Sequence, residues 1–104
     1  MRILATYSNA NLSASAAVQI LSPDGTGAAF AQPGSQRSLL IAASGQPVWV
    51  KLTRGDVAAA TKGTASELLV VAGQPLVIDL SGDWDGLSII ANGSTCLVSV
   101  SLVG

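Results

Sequence analysis

Along this chain, apolar side chains recur at every second position, where a helix would place them every third or fourth. The clearest run is Cys96-Leu97-Val98-Ser99-Val100-Ser101-Leu102, with Cys96, Val98, Val100 and Leu102 on one face and Leu97, Ser99 and Ser101 on the other. Val48-Trp49-Val50-Lys51-Leu52 alternates likewise, turning Val48, Val50 and Leu52 inward and Trp49 and Lys51 outward. Leu76-Val77-Ile78-Asp79-Leu80 repeats the pattern. Further strands are predicted over residues 3–8, 16–21, 27–31, 38–43, 67–71 and 87–91. Turn chemistry separates them: Ser22-Pro23-Asp24-Gly25, Gln32-Pro33-Gly34-Ser35, Gly45-Gln46-Pro47, Ala72-Gly73-Gln74-Pro75 and Asn92-Gly93. Asn92-Gly93, between two apolar runs, predicts a hairpin. Only Val57-Ala58-Ala59-Ala60-Thr61 reads as helical, and it is short.

Short strands punctuated in this way predict one all-β domain over residues 1–104, a compact jelly-roll-like β-sandwich of about 7–9 antiparallel strands. The expected core is Val48, Val50, Leu52, Leu76, Ile78, Leu80, Ile89, Val98, Val100 and Leu102. Residues 1–15 read either as an arm that orders on a partner or as an edge strand at an interface. A small internal echo links Gly45-Gln46-Pro47-Val48-Trp49-Val50-Lys51-Leu52 with Gly73-Gln74-Pro75-Leu76-Val77-Ile78-Asp79-Leu80. Pro at a strand's first residue removes no ladder donor, so both segments read as Pro-initiated strands. Lys51 and Asp79 then hold matching outward sites and attract if the strands are neighbours.

Composition narrows the chemistry. Charged residues make up 11% of the 104 residues, against about 25% in an average globular chain, and the formal net charge is -1. The polar surface is therefore mostly Ser, Thr, Gln and Asn, groups whose desolvation beside a partner costs less than that of Lys or Glu. Five scattered basic residues make no electrostatic footprint for nucleic acid or an anionic membrane. Without His, and with one Cys, neither a His/Cys zinc site nor a disulfide framework can be built, and no cofactor is expected. The opening Met1-Arg2-Ile3-Leu4-Ala5 resembles a signal peptide, but Thr6-Tyr7-Ser8-Asn9 ends its apolar run too early. The uncharged stretch 86–104 is broken by Ser88, Asn92, Gly93, Ser94, Ser99 and Ser101, so no membrane span is expected.

No catalytic constellation emerges, and no enzyme is expected. Asp83-Trp84-Asp85, flanked by glycines, has the Asp-x-Asp spacing of a hard-cation loop, yet such a site needs six or more oxygens, and a solvated turn explains the same residues. Arg54-Gly55-Asp56 spells an integrin-type tripeptide in a position where a turn requires Gly and Asp anyway. Cys96 falls on an inward face and reads as a small buried hydrophobe. Trp49 with Lys51 on an outward face, and Trp84 in its loop, are the candidate interface residues, since Trp is enriched at binding hot spots.

From Gln46 onward the chain resembles small structural proteins encoded among the head genes of tailed bacteriophages. The residues that carry this are Pro47-Val48-Trp49-Val50-Lys51-Leu52, the Gly-Asp and Thr-Ala-Ser-rich middle, Ala72-Gly73-Gln74-Pro75-Leu76-Val77-Ile78-Asp79-Leu80, and Gly86-Leu87-Ser88-Ile89-Ile90-Ala91 with Val98-Ser99-Val100. What the resemblance implies is a cement or decoration protein, made in the bacterial host cytoplasm, that binds and stabilises the assembled head in the virion. Its implied partners are copies of itself, a trimer first among the arrangements, and the major capsid protein or other virion proteins. No functional residue is carried over. Two other expectations stay open: a different virion role at the head–tail junction, tail or fibre, and a glycan-binding β-sandwich.

Overall fold

The computed structural model describes residues 3–22, 38–55, 58–61, 68–79 and 84–104, and among these described residues the period-two alternation becomes eight strands and no helix. They are β1 (Ile3–Leu12), β2 (Val18–Leu21), β3 (Ser38–Ser44), β4 (Val48–Thr53), β5 (Leu68–Val70), β6 (Leu76–Asp79), β7 (Gly86–Ala91) and β8 (Cys96–Val103). The strand predicted over 27–31, the turns at Pro23 and Pro33, Leu80, Asp56 and Asp83 lie outside the described residues. So does Val57 of the helical patch; residues 58–61 of that patch are not helical.

Two four-stranded antiparallel sheets result, in the orders β1-β8-β3-β6 and β2-β7-β4-β5. Their inner faces share one core. Leu39 and Ile41 of β3, Ile78 of β6 and Val98 and Val100 of β8 meet Ile20 of β2, Val48 and Val50 of β4, Val70 of β5 and Leu87 and Ile89 of β7. Each fully buried Leu, Ile or Val here stabilises by roughly 1.5–3 kcal/mol relative to an exposed one. The radius of gyration, 12.3 Å, is that of a compact chain of this length. Leu52, Leu76 and Leu102, expected in the core, are only half-buried and pack against its margin. They occupy strand ends, where one side of the inward side chain has no neighbouring row.

Consecutive strands rarely pair. The pairs are β1 with β8, β2 with β7, β3 with β6 and β4 with β5, with β3·β8 and β4·β7 completing the sheets. Among the described strands, every consecutive pair except β4 and β5 therefore lies in different sheets. That corrects the hairpin expected at Asn92-Gly93, because β7 and β8 belong to different sheets. The reason lies in the last donors of this segment: Ala91 N–H donates to Ser13 O at 3.1 Å and Asn92 N–H to Pro47 O at 3.0 Å. These bonds hold the chain to the flanking corners where a hairpin would turn back. Gly93 also stays outside the left-handed region that a two-residue Asn-Gly turn demands.

The internal echo proves to be an echo of corners. Gly45 (φ +89°) and Gly73 (φ +83°) each lead, through Gln-Pro, into a strand of the opposite sheet. Positive φ is the region only Gly enters without strain, so the same tripeptide solves the same turn twice. Lys51 and Asp79 do not pair as neighbours, because β4 and β6 lie in different sheets.

β7 is buried along its whole length, on both faces. Residues 58–61 account for part of this: Ala60 is buried, and its N–H donates to Ser88 Oγ on the outward face at 2.9 Å. A segment with helical propensity thus serves as a strap over the sheet, since tertiary contacts outweigh weak local preference.

Candidate functional site

Antiparallel alternation places four connections at one end of the molecule: 13–17 after β1, 45–47 before β4, 71–75 before β6 and 92–95 before β8. Beyond the two donors of Ala91 and Asn92, Gly73 N–H donates to Ala43 O at 3.1 Å, and Gln74 N–H to Val71 O at 3.0 Å. At the same end Ser13 and Ser15 bond through their hydroxyls at 2.8 Å. Satisfied backbone groups make this end a tied set of corners, not four independent loops.

Its composition is its distinguishing property. Ser13-Ala14-Ser15-Ala16-Ala17, Gly45-Gln46-Pro47, Val71-Ala72-Gly73-Gln74-Pro75 and Asn92-Gly93-Ser94-Thr95 contain no charged residue. All the charges belong elsewhere in the chain: to Arg2, to Lys51 in β4, to Asp79 at the end of β6, and to the connections β2–β3, β4–β5 and β6–β7. Composition shows the low charge, but not its segregation. The signal was present in the four turn segments, and it needed the strand order to bring them together.

Trp49 borders this end. It stands on the outward face of β4, opposite Leu69 of β5 and Ile90 of β7, and is half-buried. Its Nε1–H donates to Asn92 Oδ1 at 2.8 Å, so its one polar group is occupied within the chain. Lys51 shares that outward face, two residues along, and is also half-buried. Trp84 is 40% exposed and sits by the far end of β4, where its neighbour Asp85 donates N–H to Thr53 O at 3.1 Å. Trp49 and Thr53 are separated by roughly 13 Å of extended strand. The three candidate interface residues therefore do not form one patch: Trp49 and Lys51 share a face, and Trp84 stands apart.

The other motifs resolve into local structure. Asp85 Oδ1 accepts from Gly55 N–H at 2.8 Å, stapling the turn after β4 to the entry of β7. That commits one carboxylate oxygen of the candidate cation loop to the backbone. Among the described residues no group of three His, Cys, Asp or Glu side chains is placed to hold a metal. Arg54 is exposed beside the positive-φ Gly55, as a turn requires. Cys96 is buried on the inward face opposite Leu12, and burial pushes its thiol pKa above the ordinary 9.0, away from nucleophilic use.

Exposed apolar side chains lie mainly on edges and outer faces: Ile3 and Leu4 on β1, Val77 on β6, Leu97 on β8, and Leu68, Leu69 and Val71 around β5. Comparison with protein-family models, with curated protein sequences and with solved structures finds no match to this chain.

Proposed function

We propose that this chain is a structural component of a tailed-bacteriophage particle. In this reading it is a single jelly-roll β-sandwich that self-associates and sits on the assembled head as a cement or decoration protein. The observation that carries it is the charge-free end. Ser, Gln, Asn, Gly and Pro presented on tied corners can be desolvated against a neighbouring protein at lower cost than a charged loop end. A chain with 11% charged residues also suits a surface largely covered by neighbours.

The strand order supports the jelly-roll part. A long hairpin wound so that β1 meets β8, β2 meets β7, β3 meets β6 and β4 meets β5 gives the arrangement used by viral capsid and lectin domains. Cement function then needs no catalytic group. Binding the assembled lattice and not the free subunit stabilises the shell by mass action, and many weak copies act together through multivalency.

Particles assembled with and without the chain provide the test. Added protein should bind expanded heads, raise their melting temperature and ignore the free capsid subunit. Labelling confined to the head–tail junction, tail or fibre would move the role elsewhere in the virion. No binding to any particle, with a positive response on a glycan array, would replace this reading with the lectin one.

A further inference from the structure

Four strands end the two sheets, and three of them are short: β2 has 4 residues, β5 has 3 and β6 has 4. Short edges are one of the devices by which sheets avoid pairing with other chains. β1 is different. It has 10 residues, and Ile3–Leu12 contains no Lys, Arg, Asp, Glu or Pro. Among the described residues β8 is its only strand partner, and none of them pairs with its other edge.

Bulges interrupt its register with β8 between Ile3 and Ala5 and between Asn9 and Leu12. Past Asn9 the edge is closed in another way, because Asn11 N–H donates to Asn9 Oδ1 at 2.9 Å. Between the bulges, Ala5 to Asn9 pair regularly with Leu102 to Val98. That stretch is in unbroken register, neutral and centred on Tyr7. Thr6 and Ser8 are exposed on its outward side, while Tyr7 and Asn9 are half-buried on its inward side.

The geometry points to a second copy of this chain as the occupant of that edge. β1 pairs antiparallel with the partner's β1 about a two-fold axis at Tyr7, making one continuous eight-stranded sheet. The length of the edge selects this partner: among the described residues the other three edges offer four residues or fewer, and of the described strands only another β1 matches the whole regular stretch. Side chains agree with the register. Thr6 falls opposite Ser8 of the second copy, twice, and Tyr7 opposite Tyr7, which are hydroxyl and aromatic pairs favourable across strands. No like charges meet, because the strand has none. This two-fold pair stands in place of the trimer implied by the phage resemblance. It depends only on the edge, so it forms in purified protein whether or not the chain ever binds a particle.

Sedimentation of the purified full chain should show a dimer. Thr6→Lys combined with Ser8→Lys sets lysine against lysine at both outward positions and should weaken association at least tenfold. Thr6→Glu with Ser8→Lys sets opposite charges across the axis and should restore it. Cross-linking checks the register even if a charged variant fails to fold. Residues opposed across antiparallel strands lie within disulfide reach, so Thr6→Cys protein mixed with Ser8→Cys protein should oxidise to a linked pair far faster than either alone. Cys96 is buried and does not compete. A monomer, a trimer, a dimer indifferent to the paired lysines, or a mixture that links no faster than its components would each overturn the proposal. Loss of particle binding with the dimer intact would count against the virion role alone.

Discussion

Trp49 and Asn92, 43 residues apart in sequence, are joined by a 2.8 Å hydrogen bond from the indole Nε1–H to the amide Oδ1. The same Asn92 gives its backbone N–H to Pro47 O. One residue of the β7–β8 corner therefore grips β4 at both its side chain and its entry turn. Trp49→Phe keeps most of the ring and removes the donor, and should cost about 0.5–1.5 kcal/mol in urea unfolding. In a double-mutant cycle with Asn92→Ala the two losses should not add, since both remove the same bond. Full additivity would mean the bond contributes nothing in solution.

Ile78→Ala should cost about 2–5 kcal/mol, because it opens a cavity in the shared core. Leu97→Ala, on a side chain 45% exposed, should cost less than about 1 kcal/mol. Chemical denaturation of both variants decides the matter. Equal losses would mean that the outer face of β8 is covered in solution by another chain.

Gly45→Ala and Gly73→Ala should each lower stability by about 1–2 kcal/mol. Space is not the cause, since an added Cβ meets nothing within 4 Å at either position; the cost is the positive φ alone. Gly93→Ala is the contrast. Its φ is ordinary, and the added Cβ would meet only the far end of the Gln46 side chain, at 3.1 Å. Thermal melts should place that variant within about 0.5 kcal/mol of the native protein.

Burial raises the Cys96 thiol pKa, so the folded state holds its proton more tightly than the unfolded chain does. The stability associated with that protonated thiol is complete below the ordinary value of 9.0 and is lost as pH rises through the higher folded value. Stability from denaturant titrations should therefore decline at alkaline pH, and Cys96→Ala should remove part of that decline. Alkylation of the native thiol should be slow and should accelerate on unfolding. Fast labelling under native conditions would contradict the burial.

Alternation by itself determined where the strands run and which way many side chains face. A pleated strand turns successive side chains to opposite sides whatever it pairs with, so Val48, Val50, Ile78, Ile89, Cys96, Val98 and Val100 were legible as inward from period two alone. Pairing is not a local property. Thr6 bonds Ser101 through their hydroxyls at 3.2 Å across 95 residues, and nothing in either segment names the other. The wound order of the strands sent Asn92-Gly93 across sheets instead of around a hairpin and kept Lys51 away from Asp79. It also buried Ser88 beneath Ala60 and gathered four unremarkable turns into one charge-free end. Each of those outcomes depends on which distant surfaces close the shared core, and that is settled by packing two sheets against each other, not by the preference of any single strand.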